Sequence, residues 1–599
     1  MGMQMDPIAW KGGGFLLAST EPDHMFTPED FSEEQRMIAR LTADFVANEV
    51  LPHDEQIEHA QDWELTVRLL RQAGKLGLLG AEVPEAYGGS DLDKISATLI
   101  TEHMVRGSSF ALSHGAHVGI GSLPIVLFGT EEQKRKYLPD LASGARLAAY
   151  CLTEPSSGSD ALSARSTARL SEDGRNYVLN GQKQFITNSA FADLFIVYAK
   201  VNGEKFTAFI LERGFPGLST GPEEKKMGIK GTSTRPLILE DVPVPVENVL
   251  GEIGRGHVIA FNILNIGRYK LAAGCVGTSK WALELAVQYG LQRKQFGKRL
   301  VDFPLIAGKI ADMTVRAFVA ESMVYRTGGL IDRSMQRLDK EASDYSRLVA
   351  KAVEEYALEC SINKVYATEA LDFVADEGLQ IHGGYGFTQE YRIERINRDA
   401  RINRIFEGTN EINRLLIPGT LLKRALRGEL PLLTAAQNLQ QELIAYMPPF
   451  GDPEGTLEQE TQMLNAAKKL FLMVGGLAVN RYGAQLEYEQ EALASLANLI
   501  IEIYAMESAL LRTRKMIARG GSSNDRADHA NQAQAIATVY IHEGFARIAE
   551  TAKTALAALE EGDTLQMQLA VLRKLTRFKP ANTVALKRRI AAKTIADYV

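Results

Sequence analysis

One carboxylate in this chain has a setting suited to moving a proton. Glu407 follows an apolar, arginine-rich run, RINRIF, and precedes a break at Gly408, after which Thr409 and Asn410 are both good helix N-caps. A carboxylate at such a break leaves the helix and can face a cavity. Behind Ile405 and Phe406 it is partly desolvated, which favours the neutral acid and raises the pKa toward the value a general base needs near neutral pH. A second stretch, YCLTEPSSGSD (150–160), gathers the hydroxyls of Thr153, Ser156, Ser157 and Ser159 around Gly158 and can supply donors to a pyrophosphate. A surface loop rich in serine and glycine has the same composition.

The elements that must position these groups fall into blocks. With 599 residues the chain is too long for one core, since single cores stop growing at roughly 250 to 300 residues. Residues 1–25 read as an N-terminal extension. From 26 to 147 apolar residues recur at three and four, as in EEQRMIARLTADFVANEVL, giving a helical domain in which Thr27 and Asp30 form a capping box. Gly115, Gly119 and Gly121 sit in a helix-like segment there, either for close packing or as room for a long ligand chain. From 148 to 256 short β-rich runs alternate with glycine, proline and asparagine turns and predict a compact β domain, a barrel or sandwich. Long helices return over 257–428 and predict an antiparallel bundle, with RSMQRLDKEASDYSRLVAKAVEEYAL read as a solvated helix extension. A linker is expected over 429–456, around the breakers MPPFGDPEG, and a further helical domain over 457–599. The fold class is thus multidomain α+β.

Composition narrows the function. The hydrophobic and charged fractions, 45% and 24%, are those of an ordinary globular protein, and a net charge of −7 opposes binding to a nucleic-acid polyanion. Basic runs such as RTRKMIARG and LKRRIAAKT are explained by amphipathic surface charge. Cys151, Cys275 and Cys360 are far apart and in no metal-ligand spacing, so reduced core thiols are expected and no metal site. The N-terminal residues have neither a signal-peptide nor a transit-peptide pattern, and the longest apolar run, 470–479, is short of the roughly 20 residues a membrane span needs. The expected location is a bacterial cytoplasm. NAAKKLFLMVGGLAVNRYG is read as a bundle-core helix, with peripheral membrane contact through the C-terminal domain as the alternative.

Taken together, QIHGGYGFTQEYRIERINRDARINRIFEGTNEI, AYCLTEPSSGSD, FITN and RKQFGKRL, in that family's order along the chain, resemble the signatures of the acyl-CoA dehydrogenases over about 26–426. The extra C-terminal domain, with NILNIGRY and KMGIKGTSTR, makes the very-long-chain branch the nearest likeness. The resemblance implies FAD as cofactor, acyl-CoA as substrate, an electron-transfer flavoprotein as electron acceptor and a homodimer. It implies that Glu407 removes the α-proton of the thioester, with Arg268 and Gly408 near the base and the substrate. Tyr150, Cys151, Leu152, Thr153 and Ser159, with Phe185, Ile186 and Thr187, fall at FAD positions, Ser159 also at the CoA arm. Arg293, Gln295, Phe296, Gln380, Gly383 and Gly384 match the group that holds the partner subunit's FAD, and Thr409 and Glu411 match contacts just past the base. Gly119 and Gly121 are candidates for the acyl channel. Phe185 stands where many relatives carry tryptophan, and Gly267, where some branches place the base, has no carboxylate. Glu390, Glu394 and Asp399 are expected to pair with Arg392, Arg395, Arg398 and Arg401. An acyl-CoA oxidase and an assembly protein that retains the fold are the competing readings; the intact Glu407-Gly408-Thr409 opposes the latter.

Overall fold

The computed structural model describes residues 7–445, 454–520 and 524–599. The first unit comprises helices α1 (Glu33–Phe45), α2 (Trp63–Lys75), α3 (Lys94–Met104), α4 (Ser109–Gly115), α5 (Leu123–Phe128) and α6 (Glu131–Ser143). Their starts are written locally. Ser32 with Gln35, and Thr130 with Gln133, close reciprocal capping boxes, and the side chains of Asp62 and Asp93 accept from the first turns of α2 and α3. The Thr27/Asp30 box exists but caps a single 3-10 turn, with α1 beginning after Ser32. Between α4 and α5 the chain widens into a π-helical turn, Ala116–Ser122, that carries Gly119 and Gly121.

The β domain is one sheet of β1 (Ala148–Cys151), β2 (Thr167–Leu170), β3 (Asn176–Thr187), β4 (Leu194–Val201), β5 (Lys205–Glu212), β6 (Leu218–Thr220), β7 (Thr234–Pro245) and β8 (Val249–Leu250). The order is β6-β7-β3-β2-β4-β5-β8, with β1 joining β4 in parallel. Strand β4 is buried on both faces: Phe195, Val197 and Ala199 enter the β core while Leu194, Ile196 and Tyr198 join the helical core. That is why LFIVYAKV reads as a continuous apolar run and not as an alternation. Strand β3 slips register twice against β7, and the second slip, between Lys183 and Ile186, lifts Phe185 out of the sheet.

The bundle contains α7 (Gly256–Gln292), a hairpin of β9 (Lys294–Gln295) and β10 (Lys298–Arg299), α8 (Pro304–Met335), α9 (Tyr345–Glu354), α10 (Ala357–His382), α11 (Arg392–Ala400) and α12 (Asn410–Leu426). The segment expected as a solvated extension instead breaks after α8, and α9 buries Val349, Ala350, Ala352 and Val353 against the bundle. The last unit is α13 (Leu432–Ala445), α14 (Glu458–Tyr482), α15 (Gln490–Arg519), α16 (Asn524–Leu559), α17 (Gly562–Leu575) and α18 (Thr583–Ala596).

Two boundaries need correction. Most of the expected linker is helix α13, because Leu432, Leu439 and Leu443 recur on one face and are all buried; the breakers up to Pro453 lie outside the described residues. The N-terminal extension is part of the core from residue 8 onward: Phe15 and Leu16 are buried, and the Phe15 ring meets Tyr504 of α15 edge-on at 4.8 Å. Gly12 and Gly13 present their N–H groups to the carboxylates of Glu355 (2.9 Å) and Glu359 (2.7 Å). A Cβ on Gly12 would lie 2.1 Å from the Glu355 carbonyl oxygen, so only glycine allows this approach.

Buried charges join the last unit to the bundle. Glu507 (α15) accepts from Arg326 (α8) and Lys468 (α14), each at 2.6 Å, and Arg512 (α15) bridges Glu29 and Glu321 at 2.8 and 2.7 Å. Helix α14 buries Leu470, Val474 and Ala478, as the bundle-core reading of its apolar run expects. Among the described residues two stretches, Ser109–Phe128 and Gln490–Arg519, are long and apolar enough to cross a membrane, yet 72% and 78% of their apolar windows are buried inside the protein.

Candidate active site

Glu407 does not continue the helix before it. The chain turns through Glu407 (φ 58°) and Gly408 (φ 78°), two consecutive left-handed residues, before Thr409 caps α12 by accepting from the Ile412 N–H at 3.2 Å. The turn aims the carboxylate at α7. There Gly267 leaves the space: a Cβ on it would lie 2.6 Å from Glu407 Oε2. The glycine that lacks a carboxylate of its own therefore accommodates the one from Glu407. Oε2 is buried and has no hydrogen-bond partner among the described residues. Desolvation pushes the Glu407 carboxyl up to about 7, against the opposing charges of Arg268 and Lys364. A carboxylate so placed is a competent proton acceptor near neutral pH.

The turn is held from three helices. Arg268, buried on α7, donates from Nε to the Glu407 carbonyl (3.1 Å) and from Nη1 to Asn265 Oδ1 (2.9 Å). Lys364, fully buried on α10, donates from Nζ to the Gly408 carbonyl and to Asn410 Oδ1, each at 2.7 Å. Asn413 of α12 donates to the Gly408 carbonyl at 2.9 Å. Lys364 and Asn413 were not legible as site residues; a lysine inside INKVYATEAL, on a helix otherwise buried at its neighbours, was the available signal for the first.

Strand β1 and the end of β3 form a ledge beside this turn. The Gln184 N–H donates to the Thr153 carbonyl at 2.8 Å, which places Thr153 next to Phe185 and Thr187. Tyr150 has a buried hydroxyl without a partner among the described residues, and burial followed by the neighbouring Tyr198 raises its pKa well above the usual value, with Glu407 adding to the effect. Phe185 (φ 59°) is 61% exposed. Side chains of Cys151 and Ile186, by contrast, lie in the β core, so those positions can offer a ligand only main-chain atoms. The 153–160 loop is shaped by a pair absent from the sequence reading: Lys183, fully buried, donates to Glu154 (2.6 Å), whose carboxylate also accepts from the N–H groups of Arg165 and Ser166. Lys183 shares the inward register of Tyr177 and Leu179, which was the signal available. Ser159 is exposed and Gly158 faces open space.

A third group lies on the outer surface of the bundle. Arg293, Gln295, Phe296, Gln380, Gly383 and Gly384 are all exposed. Arg293 sits 5.5 Å from the Tyr385 ring centroid, which brings the β9/β10 hairpin beside the 383–387 turn, and Phe296 (92%) and Phe387 (85%) stand almost wholly in solvent. Gly383 and Gly384 have no atom within 4 Å of an added Cβ, a surface open to another body. Glu411 is exposed in the first turn of α12.

The candidate channel glycines separate. Gly121 is a packing position, since its Cβ would lie 2.9 Å from that of Ala148, whereas Gly119 would only touch the Lys270 stem at 3.6 Å. The expected acid pairs hold for Glu394 with Arg398 (2.5 Å), and Asp399 reaches Arg395 at 3.7 Å. Arg392 and Arg395 instead spend their short contacts on Asp54 (2.6 and 2.7 Å), and Arg395 also on Glu58 (3.1 Å), which are remote in sequence.

The sequence matches four family descriptions in register with these units: acyl-CoA dehydrogenase N-terminal domain (32–145), middle domain (149–242) and C-terminal domain (254–422), and a further acyl-CoA dehydrogenase C-terminal domain (466–574). The chain belongs to the acyl-CoA dehydrogenase family. It is 58% identical to a probable acyl-CoA dehydrogenase of Bacillus subtilis, with 97% of each chain covered. To the human very long-chain specific acyl-CoA dehydrogenase it is 37% identical, over 74% of this chain and 70% of that one. An acyl-CoA dehydrogenase of Bacillus anthracis, solved in complex with FAD, superposes with a TM-score of 0.95 at 56% identity, covering 98% of this chain and 99% of the other. Butyryl-CoA dehydrogenase of Megasphaera elsdenii superposes with a TM-score of 0.60 at 37% identity, covering 66% of this chain and 99% of its own.

Proposed function

We propose that this protein is an FAD enzyme that dehydrogenates long- or very-long-chain acyl-CoA to trans-2-enoyl-CoA, as a homodimer in the bacterial cytoplasm, and passes the electrons to an electron-transfer flavoprotein. The observation that carries the reading is the Glu407 carboxylate, with Oε2 buried and unpartnered and its pKa raised to about 7, on a turn fitted against Gly267. The donor set fits the cofactor: an exposed aromatic face at Phe185, a hydroxyl- and glycine-bearing loop at 153–160, and the unpartnered Tyr150 hydroxyl beside the base. Thr153, Thr187 and Ser159 would hold FAD within one chain, and Arg293, Gln295, Phe296, Gln380, Gly383 and Gly384 would hold the FAD of a second copy. The almost wholly exposed rings of Phe296 and Phe387, on two neighbouring turns of one surface, support that second copy, because aromatic rings are enriched at interfaces between chains. Bound there, FAD supplies the acceptor for the β-hydride.

The protein's own part is the α-proton. Thioester α-protons are weakly acidic, so the base must be preorganised and the carbonyl oxygen must meet donors that need not reorganise. Glu407 takes the proton from a site where its charge is disfavoured, and its main-chain N–H, fixed in the left-handed turn, is the donor the chain offers the carbonyl. The test is anaerobic bleaching of the purified protein's flavin by acyl-CoA of increasing chain length. Bleaching that is strongest at long chains is the expected result; absence of flavin, or flavin that no acyl-CoA reduces, overturns the reading. Subsequent reoxidation by an electron-transfer flavoprotein, slow in air, is expected; fast reoxidation by oxygen would make the protein an oxidase.

A further inference from the structure

With Glu407 read as the base, the turn that carries it is held in a way that assigns a role to one further residue. Two consecutive left-handed residues, one of them a glutamate, persist only where the surroundings over-determine them. Three side chains do so here. Arg268 and Asn413 donate to carbonyls of the turn, but each also binds a side chain or carbonyl of its own helix or the next residue along. Lys364 differs in kind. It comes from α10, is fully buried, and gives its hydrogen bonds to two neutral oxygens, the Gly408 carbonyl and Asn410 Oδ1. Among the described residues no carboxylate lies within ion-pair distance of it. A buried ammonium without a counter-ion is expensive, so its retention calls for a use.

The charged and titratable groups around the pair are few. Facing Glu407 are Arg268 from α7, Lys364 from α10 and Tyr150 from β1; facing Lys364 are Cys275 and Arg268 from α7, Glu407 itself and Glu411 from α12. Asn410, which accepts from Lys364, is fixed in turn by donating to Thr368 (3.1 Å) and Glu369 (3.0 Å). The lysine is therefore anchored at both ends of a short chain: α10 carries it, and the first residue of α12 receives it.

We propose that Lys364 is a positioning residue for the base: it clamps the Gly408 carbonyl so that the Glu407 carboxylate points at Gly267, and its charge supports the ionised form of that carboxylate. Burial draws the Lys364 ammonium down to about 8, so it is largely protonated at the pH where Glu407 must lose its proton. Removing the charge disfavours ionised Glu407, raises its pKa and moves the acid limb of the rate to higher pH.

The experiment measures flavin reduction by acyl-CoA against pH in the holoenzyme, for wild type, Lys364→Met, Lys364→Gln, Lys364→Arg and Glu407→Gln. Lys364→Met is expected to lose at least about tenfold in rate at pH 7, to shift its acid limb upward, and to keep its FAD and its substrate KM. Lys364→Gln, which keeps a donor without the charge, shows the same shift with a smaller loss, and Lys364→Arg keeps the limb near that of wild type. A purely structural lysine would lower the melting temperature and leave the limb in place; that result, or failure of all three variants to fold with FAD, overturns the proposal. Should Glu407→Gln still reduce its flavin, the assignment of the base itself fails. Inactive Glu407→Gln with unshifted Lys364 variants defeats the positioning role alone.

Discussion

Glu407 and Glu507 are both glutamates enclosed by helices, and the protein treats them in opposite ways. At Glu507 burial also raises the pKa, but Lys468 and Arg326 close on the carboxylate at 2.6 Å each and hold it below the ordinary range. At Glu407 the nearest cations spend their hydrogen bonds on the backbone of the turn and on neighbouring amides, so the carboxylate receives their charge at a distance and no direct donor at Oε2. Burial is common to the two; the pairing differs. One seam has been satisfied for stability, and the other left unsatisfied, as the proposed proton transfer requires.

The largest effect that would break this contrast comes from neutralising Glu407, the proposed base. Glu407→Gln is expected to retain FAD and to lose about a hundredfold to ten-thousandfold in flavin reduction by acyl-CoA, read by stopped-flow bleaching, because an amide cannot take the proton. Next is Glu507→Gln, which leaves Arg326 and Lys468 buried and uncompensated. It should cost about 3 to 5 kcal/mol in unfolding free energy, measured by denaturant titration, with flavin reduction per folded molecule unchanged. A variant with intact stability but impaired flavin reduction would erase the division of labour between the two regions.

The pH dependence sharpens the comparison by sign. Glu407 has a raised folded pKa, so between its unfolded value and about 7 the folded state binds more protons, and its contribution to stability falls as pH rises through that window. At pH 8 Glu407→Gln should therefore melt higher than wild type, by on the order of 1 to 2 kcal/mol. Glu507 has a depressed folded pKa; its contribution is present above the unfolded value and is lost as pH falls through the folded one. Acid melting below about pH 4 should accordingly be less steep in Glu507→Gln than in wild type. The two channel glycines should differ, and the smallest effect expected is at Gly119. Gly121→Ala should cost about 1 to 3 kcal/mol through overpacking on Ala148, and Gly119→Ala almost nothing in thermal melting, while a bulky residue at Gly119 should slow bleaching by long chains more than by short ones.

The sequence disclosed what is local. The break at Gly408, the Thr27/Asp30 capping box and the change of period near residue 148 all act within a few positions and were legible there, whereas the equally local caps at Ser32, Asp62, Asp93 and Thr130 went unread. What it did not disclose is long-range pairing. That Arg392 would turn to Asp54, that Lys364 would reach the carbonyl of Gly408, and that Lys183 would anchor the 153–160 loop through Glu154 depend on which helices and strands meet, and no periodicity encodes it. Helix α13 was a different kind of miss. Its Leu432, Leu439 and Leu443 stripe was readable, but the proline and glycine cluster beyond it drew the boundary too early.

The N-terminal segment has its partners at the far end of the chain. Lys515 donates to the Met25 carbonyl across 490 residues, Lys468 to that of Ala18 across 450, and Phe15 rests on Tyr504. During synthesis, at roughly 5 to 20 residues per second, the first 25 residues leave the ribosome about half a minute or more before those partners exist. Until then these residues have only the bundle to rest on, through contacts such as that of Arg333 with the Trp10 ring, and the face that α14 and α15 cover stays open. Completion of this fold is therefore a late event, in which α14 and α15 of the last unit fasten down the first residues.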